Sequence, residues 1–548
     1  MKQLLLIAGL IFSVCVSGQT GNIAENEGIT GPLHQANTGR IRFMGSMIPA
    51  EEVKESDYLS SFELNENTDF NIRAYLDNSL TNYLHLLSPS LTVEELTKNG
   101  NYRFSFFVDN TLVYTENLHP GAGTAENKNK RTVFRVPLIS TTNEDSWGRF
   151  LWNRFMFKGG DDALSPGPHR LKIEIRPYLK TPGIKVGELI ATGEITLAIK
   201  KPVLSEKEKA VQEILPNSGW AISNAQYDHD KIKELNEKIG WRLFKDITSI
   251  IVIKDGKLLL EEYFNGAGRD SLHDTRSVGK TFASALTGIA IKDKYIKNED
   301  QSLNEFYGLE KYSNYTPAKD KVTLKSLLTM SSGFNGSDDN EESPGNEEKM
   351  YPTADWVKFA LDLPMDSTKQ PGKNWDYFTA GVVLLGDILH RSVPGGLEKY
   401  ADHKLFKPLG IKNYKWQYTP QKVANTAGGL QMRSLDYAKF GQLYKNKGFW
   451  NGKELIPQQW VSKSLSRQLQ LPGNEGQFYG YLFWNMSFTL HDRNYEAFYL
   501  SGNGGNKVFI FKDIALVIVI TAKAYNKFYG HAQVNKMMER YILPAVIE

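Results

Sequence analysis

Ser277 and Lys280 stand three residues apart in the stretch Ser277-Val278-Gly279-Lys280. Phe282, Leu286 and Ile289 follow at i, i+4, i+7 spacing, with Ala283 and Ala285 keeping the surface between them small, which reads as a buried helix. Residues i and i+3 share a helix face, so the lysine nitrogen reaches the serine hydroxyl. The helix N-terminus adds partial positive charge beside both. Such a pair activates a serine without histidine. The pattern alone is weak. Ser-x-x-Lys arises by chance about once or twice in a chain of this size, and a polar helix start with a solvated lysine satisfies it equally.

A serine–lysine pair needs a second proton-handling group. Lysine and tyrosine both have intrinsic pKa values of about 10, so each is a poor base alone at neutral pH. Placed together, a cationic lysine favours tyrosinate and burial favours neutral lysine. Trp375-Asp376-Tyr377-Phe378-Thr379 follows Pro371-Gly372 and precedes the apolar helical stretch 382–389, which puts Tyr377 at a turn before a helix. It is one of 26 tyrosines, and a packing aromatic reads the same way. A third element is Ser501-Gly502-Asn503-Gly504-Gly505-Asn506, ahead of a strand over 508–511. Glycines at a strand start let another backbone or a substrate approach closely. An exposed N–H there, with the N–H of Ser277, completes an oxyanion hole. A plain hairpin turn has the same letters.

The elements that must position these residues fall in the second part of the chain. From about residue 205 helical stretches appear, such as 230–244. Residues 247–252, the turn Lys254-Asp255-Gly256 and residues 258–263 make a hairpin leading into the serine region. Helical segments continue to about 444, and strands over 507–511 and 515–522 precede a terminal helix near 532–541. Strands at both ends with helices between predict one antiparallel sheet assembled from both termini and covered by helices. Residues 20 to 200 read differently. Residues 102–108, the turn Asp109-Asn110 and residues 112–114 form a hairpin, and 170–175 and 194–199 alternate as strands. Little helical periodicity appears there beyond 93–98, so a β-sandwich of roughly immunoglobulin-like character is expected. The predicted organisation is 1–18 leader, 19–204 β-rich domain and 205–548 catalytic domain.

The N-terminus MKQLLLIAGLIFSVCVSGQT reads as a secretory signal peptide: Lys2, an apolar run over 4–16, and Val16-Ser17-Gly18 before Gln19. Export to the periplasm or the cell exterior follows. A lipoprotein signal would cleave before Cys15, but Val14 is bulky where a small residue is wanted. Cys15 is the only cysteine, so the mature chain has no disulfide, thiol nucleophile or thiolate metal site. Net charge is +3, with no basic cluster interleaved with aromatics, which argues against nucleic-acid binding. Residues 508–522 are interrupted by Lys512-Asp513 and read as paired strands, leaving no transmembrane segment. The acidic run Asp338-Asp339-Asn340-Glu341-Glu342, with Glu347-Glu348, reads as a solvated loop, since no EF-hand spacing is present.

Taken in order, the three elements resemble the serine β-lactamase and penicillin-binding-protein superfamily, most closely its class C-like serine hydrolases and esterases. Residues 322–334, from Val322-Thr323-Leu324 to Ser332-Gly333-Phe334, are similar to the family's segment after the first motif. Ala427-Gly428-Gly429-Leu430 with Asp436-Tyr437-Ala438-Lys439-Phe440-Gly441, and Tyr479-Gly480-Tyr481 with Trp484, resemble further family stretches. The resemblance covers about 205 to 545. It implies a β-lactamase-like α+β catalytic domain, an antiparallel sheet flanked by helices with an all-helical region. It implies Ser277 as acylated nucleophile, Lys280 as its partner, Tyr377 as general base and later acid, and an oxyanion hole from the N–H groups of Ser277 and Gly505. Thr379, Asn503 and Gly504 would face substrate. No metal or organic cofactor is required.

The sequence departs from the family at two places. Thr379 stands where asparagine usually follows the tyrosine by two. Gly502, Asn503 and Gly504 stand where a basic residue or histidine, threonine and glycine are usual, so the cation for a β-lactam carboxylate is absent unless Lys507 bends back. The expectation is therefore an exported hydrolase of an ester or small amide. A D-amino-acid peptidase, penicillin-binding carboxypeptidase or β-lactamase is one alternative. A binding protein on a decayed hydrolase fold, with the β-rich region as the working part, is another. No Gly-x-Ser-x-Gly elbow or His-Glu-x-x-His helix supports other hydrolase chemistries. No partner for the N-terminal region can be named.

Overall fold

The computed structural model describes residues 21–64, 68–141, 147–527 and 529–547. The expected leader 1–18 and Cys15 lie outside them. The chain divides into two compact units between Pro202 and Val203.

The first unit is built on two sheets. The larger runs Ser61–Leu64, Ala191–Ile199, Gly167–Thr181, Gly100–Val108, Thr111–Asn117, with Gly183–Val186 paired onto Gly167–Thr181. The smaller runs Ile41–Met44, Phe70–Tyr75, Val133–Ile139. Phe70, Ile72 and Val136 of the small sheet share one core with Phe104, Phe106, Ile173 and Leu197 of the large one. Alternation along Gly167–Thr181 produces this: Leu171, Ile173 and Ile175 are buried while the residues between them are less so. The Asp109-Asn110 turn has both residues at positive φ, 48° and 68°, the geometry that lets two residues reverse a twisted strand pair.

Helices interrupt the expected all-β pattern here. Leu80–Leu87 buries Leu80 and Leu84 against Leu96 and Leu179, and Trp147–Phe155 buries Leu151, Trp152 and Phe155 in the main core. Each has only about two turns, too few for a 3.6-residue period to stand out in the sequence. Trp152 packs edge-on to Phe70 at 5.8 Å, whereas Trp147 is 37% exposed.

The second unit contains an eight-stranded antiparallel sheet in the order Lys257–Tyr263, Ile247–Lys254, Leu516–Ala522, Asn506–Phe511, Arg493–Gly502, Trp484–Leu490, Phe478–Tyr479, Leu469–Gln470. Its centre joins the two ends of the unit, with Ile251 opposite Val519 and Ile253 opposite Val517. Both faces are covered. Ile251, Ile253, Val517 and Val519 pack with Phe282, Val383 and Leu443 of the helices Lys280–Lys292, Thr379–Ser392 and Ser434–Lys445. Ile250, Val252, Ile518 and Ile520 pack with Ile232, Leu235, Val534 and Met537 of His229–Gly240 and Gly530–Met537. Two-sided burial is why Ile247–Lys254 and Leu516–Ala522 read as unbroken apolar runs rather than alternating ones. The helix Lys280–Lys292 is buried from Lys280 through Ala290, and Phe282 stacks on Phe440 at 3.9 Å. A helix apolar on every side belongs inside a core. Among the described residues no helix is long and apolar enough to cross a membrane.

Candidate active site

Ser277 lies in a 3₁₀ turn, Arg276–Gly279, and the α-helix begins at Lys280. The two residues are therefore not on one regular helix, as their spacing suggested. The tighter turn leaves them adjacent all the same: Lys280 Nζ lies 2.7 Å from Ser277 Oγ. As an early residue of the turn, Ser277 keeps its own N–H outside the helical ladder, available to an incoming oxygen. Arg276, just before it, sits at φ 53°, a left-handed conformation that a non-glycine residue rarely adopts. The turn is braced behind. Thr275 Oγ1 donates to Tyr437 Oη at 2.6 Å, and Tyr437 Oη donates to the Leu430 carbonyl at 3.0 Å. Tyr437 itself is held in the buried helix Ser434–Lys445, whose Asp436 carboxylate takes bonds from Arg433 and Lys439.

Lys280 is 2% exposed, and its Nζ also donates to the Ala427 carbonyl at 2.6 Å. It stands 5.2 Å from the centroid of the Tyr377 ring. Among the described residues no carboxylate bonds to it. The nearby tyrosine is half-buried as a side chain, but its hydroxyl end is enclosed by protein. That withdrawal from water raises its pKa above the usual tyrosine value, while the Lys280 charge and a hydrogen bond with Ser277 pull it down. Ser277, Lys280 and Tyr377, predicted from separate parts of the chain, thus meet at one point.

Asp338 completes this corner and was not foreseen. Its N–H donates to the Tyr377 carbonyl at 2.8 Å. Its carboxylate accepts from the Thr379 N–H at 2.7 Å, the start of the helix Thr379–Ser392, and from the Glu347 N–H at 2.9 Å. Backbone on both sides of Phe378, directly after Tyr377, is thereby tied to one residue. Burial, and then the charge of Glu347, push the Asp338 carboxyl up to about 6. The acidic run is thus solvated only in part: Asn340, Glu341, Glu342 and Glu348 are exposed, and Asp338 is not. One cue was the position of the run shortly after the stretch 322–334, though composition alone favours solvent. Thr379 is fully buried and offers its N–H to the Asp338 carboxylate.

The glycine-rich element lies beside the nucleophile turn. Gly502, the last residue of its strand, abuts the nucleophile: a Cβ there would lie 1.8 Å from the Thr275 carbonyl oxygen and 3.2 Å from the Ser277 nitrogen. Gly504 and Gly505 form the following turn at φ 92° and 90°. Gly504 packs against Tyr525, and a Cβ on Gly505 would meet the Gly530 carbonyl at 2.5 Å. Asn503 is exposed and locked to Asn526 by two hydrogen bonds of 2.5 and 2.9 Å. Of these glycines, Gly502 is the one whose Cβ position falls beside the Ser277 nitrogen. Lys507 does not bend back. It is 4% exposed, donates to Asn535 Oδ1 at 3.0 Å, and lies over the rings of Tyr499 and Phe509 at 4.6 and 5.7 Å. Burial lowers its pKa to about 7. Arg276, the cation beside Ser277, is occupied over the Tyr525 ring at 4.9 Å with Asp274 at 3.8 Å.

An aromatic group flanks the tyrosine. Trp484 stacks on Tyr377 at 5.6 Å and meets Trp375 and Tyr479 edge-on at 5.6 and 5.1 Å. This explains the Tyr479-Gly480-Tyr481 and Trp484 stretch. The arrangement can deliver a serine oxygen to a carbonyl carbon beside two proton-handling groups and an apolar wall. Among the described residues no cluster of His, Cys, Asp and Glu could hold a metal ion.

Comparison with known proteins matches residues 248–537, more than half of the chain, to the family model Beta-lactamase. The Bacillus subtilis (strain 168) protein PbpX, which carries the name of a penicillin-binding protein, is 22% identical over 214 residues, 38% of this chain and 52% of PbpX. Protein flp of Staphylococcus aureus (strain N315) is 23% identical over 194 residues, 34% of this chain and 38% of flp. The chain thus spans about half or less of the length of these two curated relatives. Among solved structures, a Bacillus anthracis protein named as a 6-aminohexanoate-dimer hydrolase aligns with a TM-score of 0.48 and 20% identity, covering 60% of this chain and 90% of that one.

Proposed function

Because the chain belongs to the Beta-lactamase family, whose relatives include serine hydrolases, we propose that it cleaves an ester or amide bond through an acyl-enzyme on Ser277, in the manner of the family's class C-like esterase branch. The observation that carries this reading is the 2.7 Å approach of Lys280 Nζ to Ser277 Oγ, with the Tyr377 ring 5.2 Å from that nitrogen. Ser277 Oγ attacks the substrate carbonyl carbon, and its proton passes to the Lys280–Tyr377 pair. The carbonyl oxygen becomes an oxyanion facing the Ser277 N–H, with a backbone amide of the turn 502–505 as second donor. Tyr377 returns the proton to the leaving alcohol or amine, and water attacking the acyl carbon regenerates Ser277. Lys280 keeps the tyrosine within reach of tyrosinate, and Asp338 fixes its backbone.

The surroundings narrow the substrate. Lys507 is turned into the opposite core and Arg276 is engaged by Tyr525 and Asp274, so neither of these two cations is free for a substrate carboxylate. Tyr377, Trp375 and Trp484 offer aromatic surface. Both features favour an uncharged ester or small amide over a β-lactam. Thr379, Asn503 and Gly504 bear on substrate only indirectly in this reading, through Asp338 and the turn. The leader sequence supports action outside the cytoplasm.

The test is labelling with a fluorophosphonate probe alongside turnover of short-chain p-nitrophenyl esters. The wild-type protein should label once per chain and turn over esters, and Ser277→Ala should do neither. Equal labelling of the two proteins would remove Ser277 from the chemistry. A fluorescent penicillin that acylates Ser277 durably would instead favour the cell-wall reading.

A further inference from the structure

Trp484 opens the strand Trp484–Leu490 and stands opposite Tyr499 on one neighbouring strand and Tyr479 on the other. Residues opposite one another on adjacent antiparallel strands bring their side chains within reach of each other. The rings touch accordingly: Trp484 stacks on Tyr499 at 6.4 Å and meets Tyr479 edge-on at 5.1 Å. Two further aromatic neighbours come from the segment before the helix Thr379–Ser392. Tyr377 is stacked on the indole and Trp375 is edge-on to it, both at 5.6 Å.

The turn that delivers Trp484 is fixed. The Gly480 N–H donates to the Phe483 carbonyl at 2.7 Å, and the Leu482 N–H to the Leu328 carbonyl at 2.8 Å. Leu482 sits at φ 64°, and a Cβ on Gly480 would lie 2.0 Å from the Ser464 carbonyl oxygen. Packing this close gives the indole a defined place, set by three strands and a tight turn.

Tyr377 is held in another way. Its carbonyl accepts from the Asp338 N–H at 2.8 Å, and the N–H of Asp376 before it donates to the Met330 carbonyl at 2.8 Å. Backbone bonds leave the side-chain torsions open. In the resting site a hydrogen bond with Ser277 fixes the tyrosine hydroxyl. Once Ser277 is acylated its Oγ is an ester oxygen without a proton, and it donates no longer. The ring then depends on its neighbours, the Lys280 ammonium 5.2 Å from its centroid and the Trp484 stack. An aromatic pair contributes about 0.5–1.5 kcal/mol beyond its buried area, and a reacting group misplaced by about 1 Å costs about 10²-fold in rate.

We propose that Trp484 is a positioning residue, which through its stack on Tyr377 holds the tyrosine hydroxyl in place for hydrolysis of the acyl-enzyme. The proposal rests on the reading that Ser277 is acylated and Tyr377 moves its proton. In this half of the reaction water adds to the acyl carbon and gives a proton to the Lys280–Tyr377 pair. The bond from Ser277 Oγ to the acyl carbon then breaks, the proton returns to Oγ, and a carboxylic acid leaves. The indole exchanges no proton. It acts on kcat, and only through Tyr377.

The test is a double-substitution cycle on the full chain with p-nitrophenyl acetate. Trp484→Leu and Tyr377→Phe are made alone and together, with Trp484→Phe as the conservative variant. Trp484→Leu should lower kcat by about 10–10²-fold. KM should stay within a few fold, because Trp375 and Tyr377 remain as apolar surface. The initial burst of nitrophenolate should keep nearly the parent rate while the steady state slows. Trp484→Phe should recover most of the loss. In the Tyr377→Phe background Trp484→Leu should cost no more than about twofold, since the group it positions is gone. Urea unfolding checks that each variant is folded in the assay, and Trp484→Met replaces Trp484→Leu if the latter is not. An effect of equal size in both backgrounds, an effect confined to KM, or a burst slowed as much as the steady state would overturn the proposal. Failure of the underlying reading looks different: Tyr377→Phe alone would then keep full turnover, which removes the tyrosine from the chemistry and the proposal with it.

Discussion

Lys280 and Lys507 are both buried lysines on the second unit, and their surroundings differ in kind. Lys280 is 2% exposed and bonded to a serine hydroxyl and a backbone carbonyl, with a tyrosine ring beside it. Lys507 is 4% exposed and bonded only to a side-chain amide, between two aromatic faces. The first arrangement puts a proton donor and acceptor next to a nucleophile. The second holds a charge away from water with no serine nucleophile bonded to it; its titratable neighbour is the buried His531. Burial of a lysine is thus no mark of catalysis; the groups its nitrogen can exchange protons with decide the matter.

That contrast can be broken by experiment. The largest effect should come from Lys280→Met, which removes the ammonium but keeps the stem. Ester turnover should fall by about 10²–10⁴, the range for a lost acid–base partner, with little change in KM. Retained turnover would reduce Lys280 to packing. Gly502→Ala comes next. Its new Cβ would meet the Thr275 carbonyl at 1.8 Å, so the nucleophile turn must shift. A loss of about 1–3 kcal/mol in urea unfolding is expected, with a disproportionate fall in kcat. Asn503→Ala, on the exposed turn, should leave kcat within a few fold.

Lys507→Met tests the other lysine. It should leave turnover nearly unchanged and raise stability by about 1–3 kcal/mol at pH 7, as replacement of buried charge by apolar groups often does. The pH dependence has a definite sign. The group titrates near 10.5 when exposed and at about 7 here, so between those values the unfolded chain binds more protons. The cost of burying it is full below about pH 7 and fades as pH rises toward 10.5, and the advantage of Lys507→Met should fade over the same range. An advantage independent of pH would mean that packing, not charge, is responsible.

Asp338 gives the smallest and most local effect. Its carboxyl is raised from 3.8 to about 6, so between those values the folded state binds more protons. Its contribution must therefore fall as pH rises through that window. Asp338→Asn should flatten the slope of unfolding free energy between pH 4 and 6, and should lower kcat modestly by loosening the Tyr377 segment. An unchanged slope would show the carboxyl to be ordinarily solvated.

The nucleophile corner was legible in the sequence because its first pair is local. A three-residue spacing survives whether the turn is 3₁₀ or α, so Ser277 and Lys280 meet in either case. Tyr377 was readable as a tyrosine before an apolar helix, and the central strands as apolar runs. Asp338 was not, because its letters are those of a solvated loop and only the return of that loop against Thr379 withdraws it from water. The helices Leu80–Leu87 and Trp147–Phe155 were hidden by their shortness.

Residue order by itself determined the serine–lysine pair, the paired strands at the two ends of the second unit, and the absence of cysteine from all but position 15. Tertiary structure alone decided which glycine touches the nucleophile, which carbonyl receives Lys280, and which way Lys507 points. The physical reason is that a strand end can be offset by a residue or two without changing its apolar pattern, while a side chain on a sheet goes to whichever face its register dictates. Gly502 lies against Ser277 because its strand ends there, and Lys507 shares the core of Phe509 because alternate residues face one way.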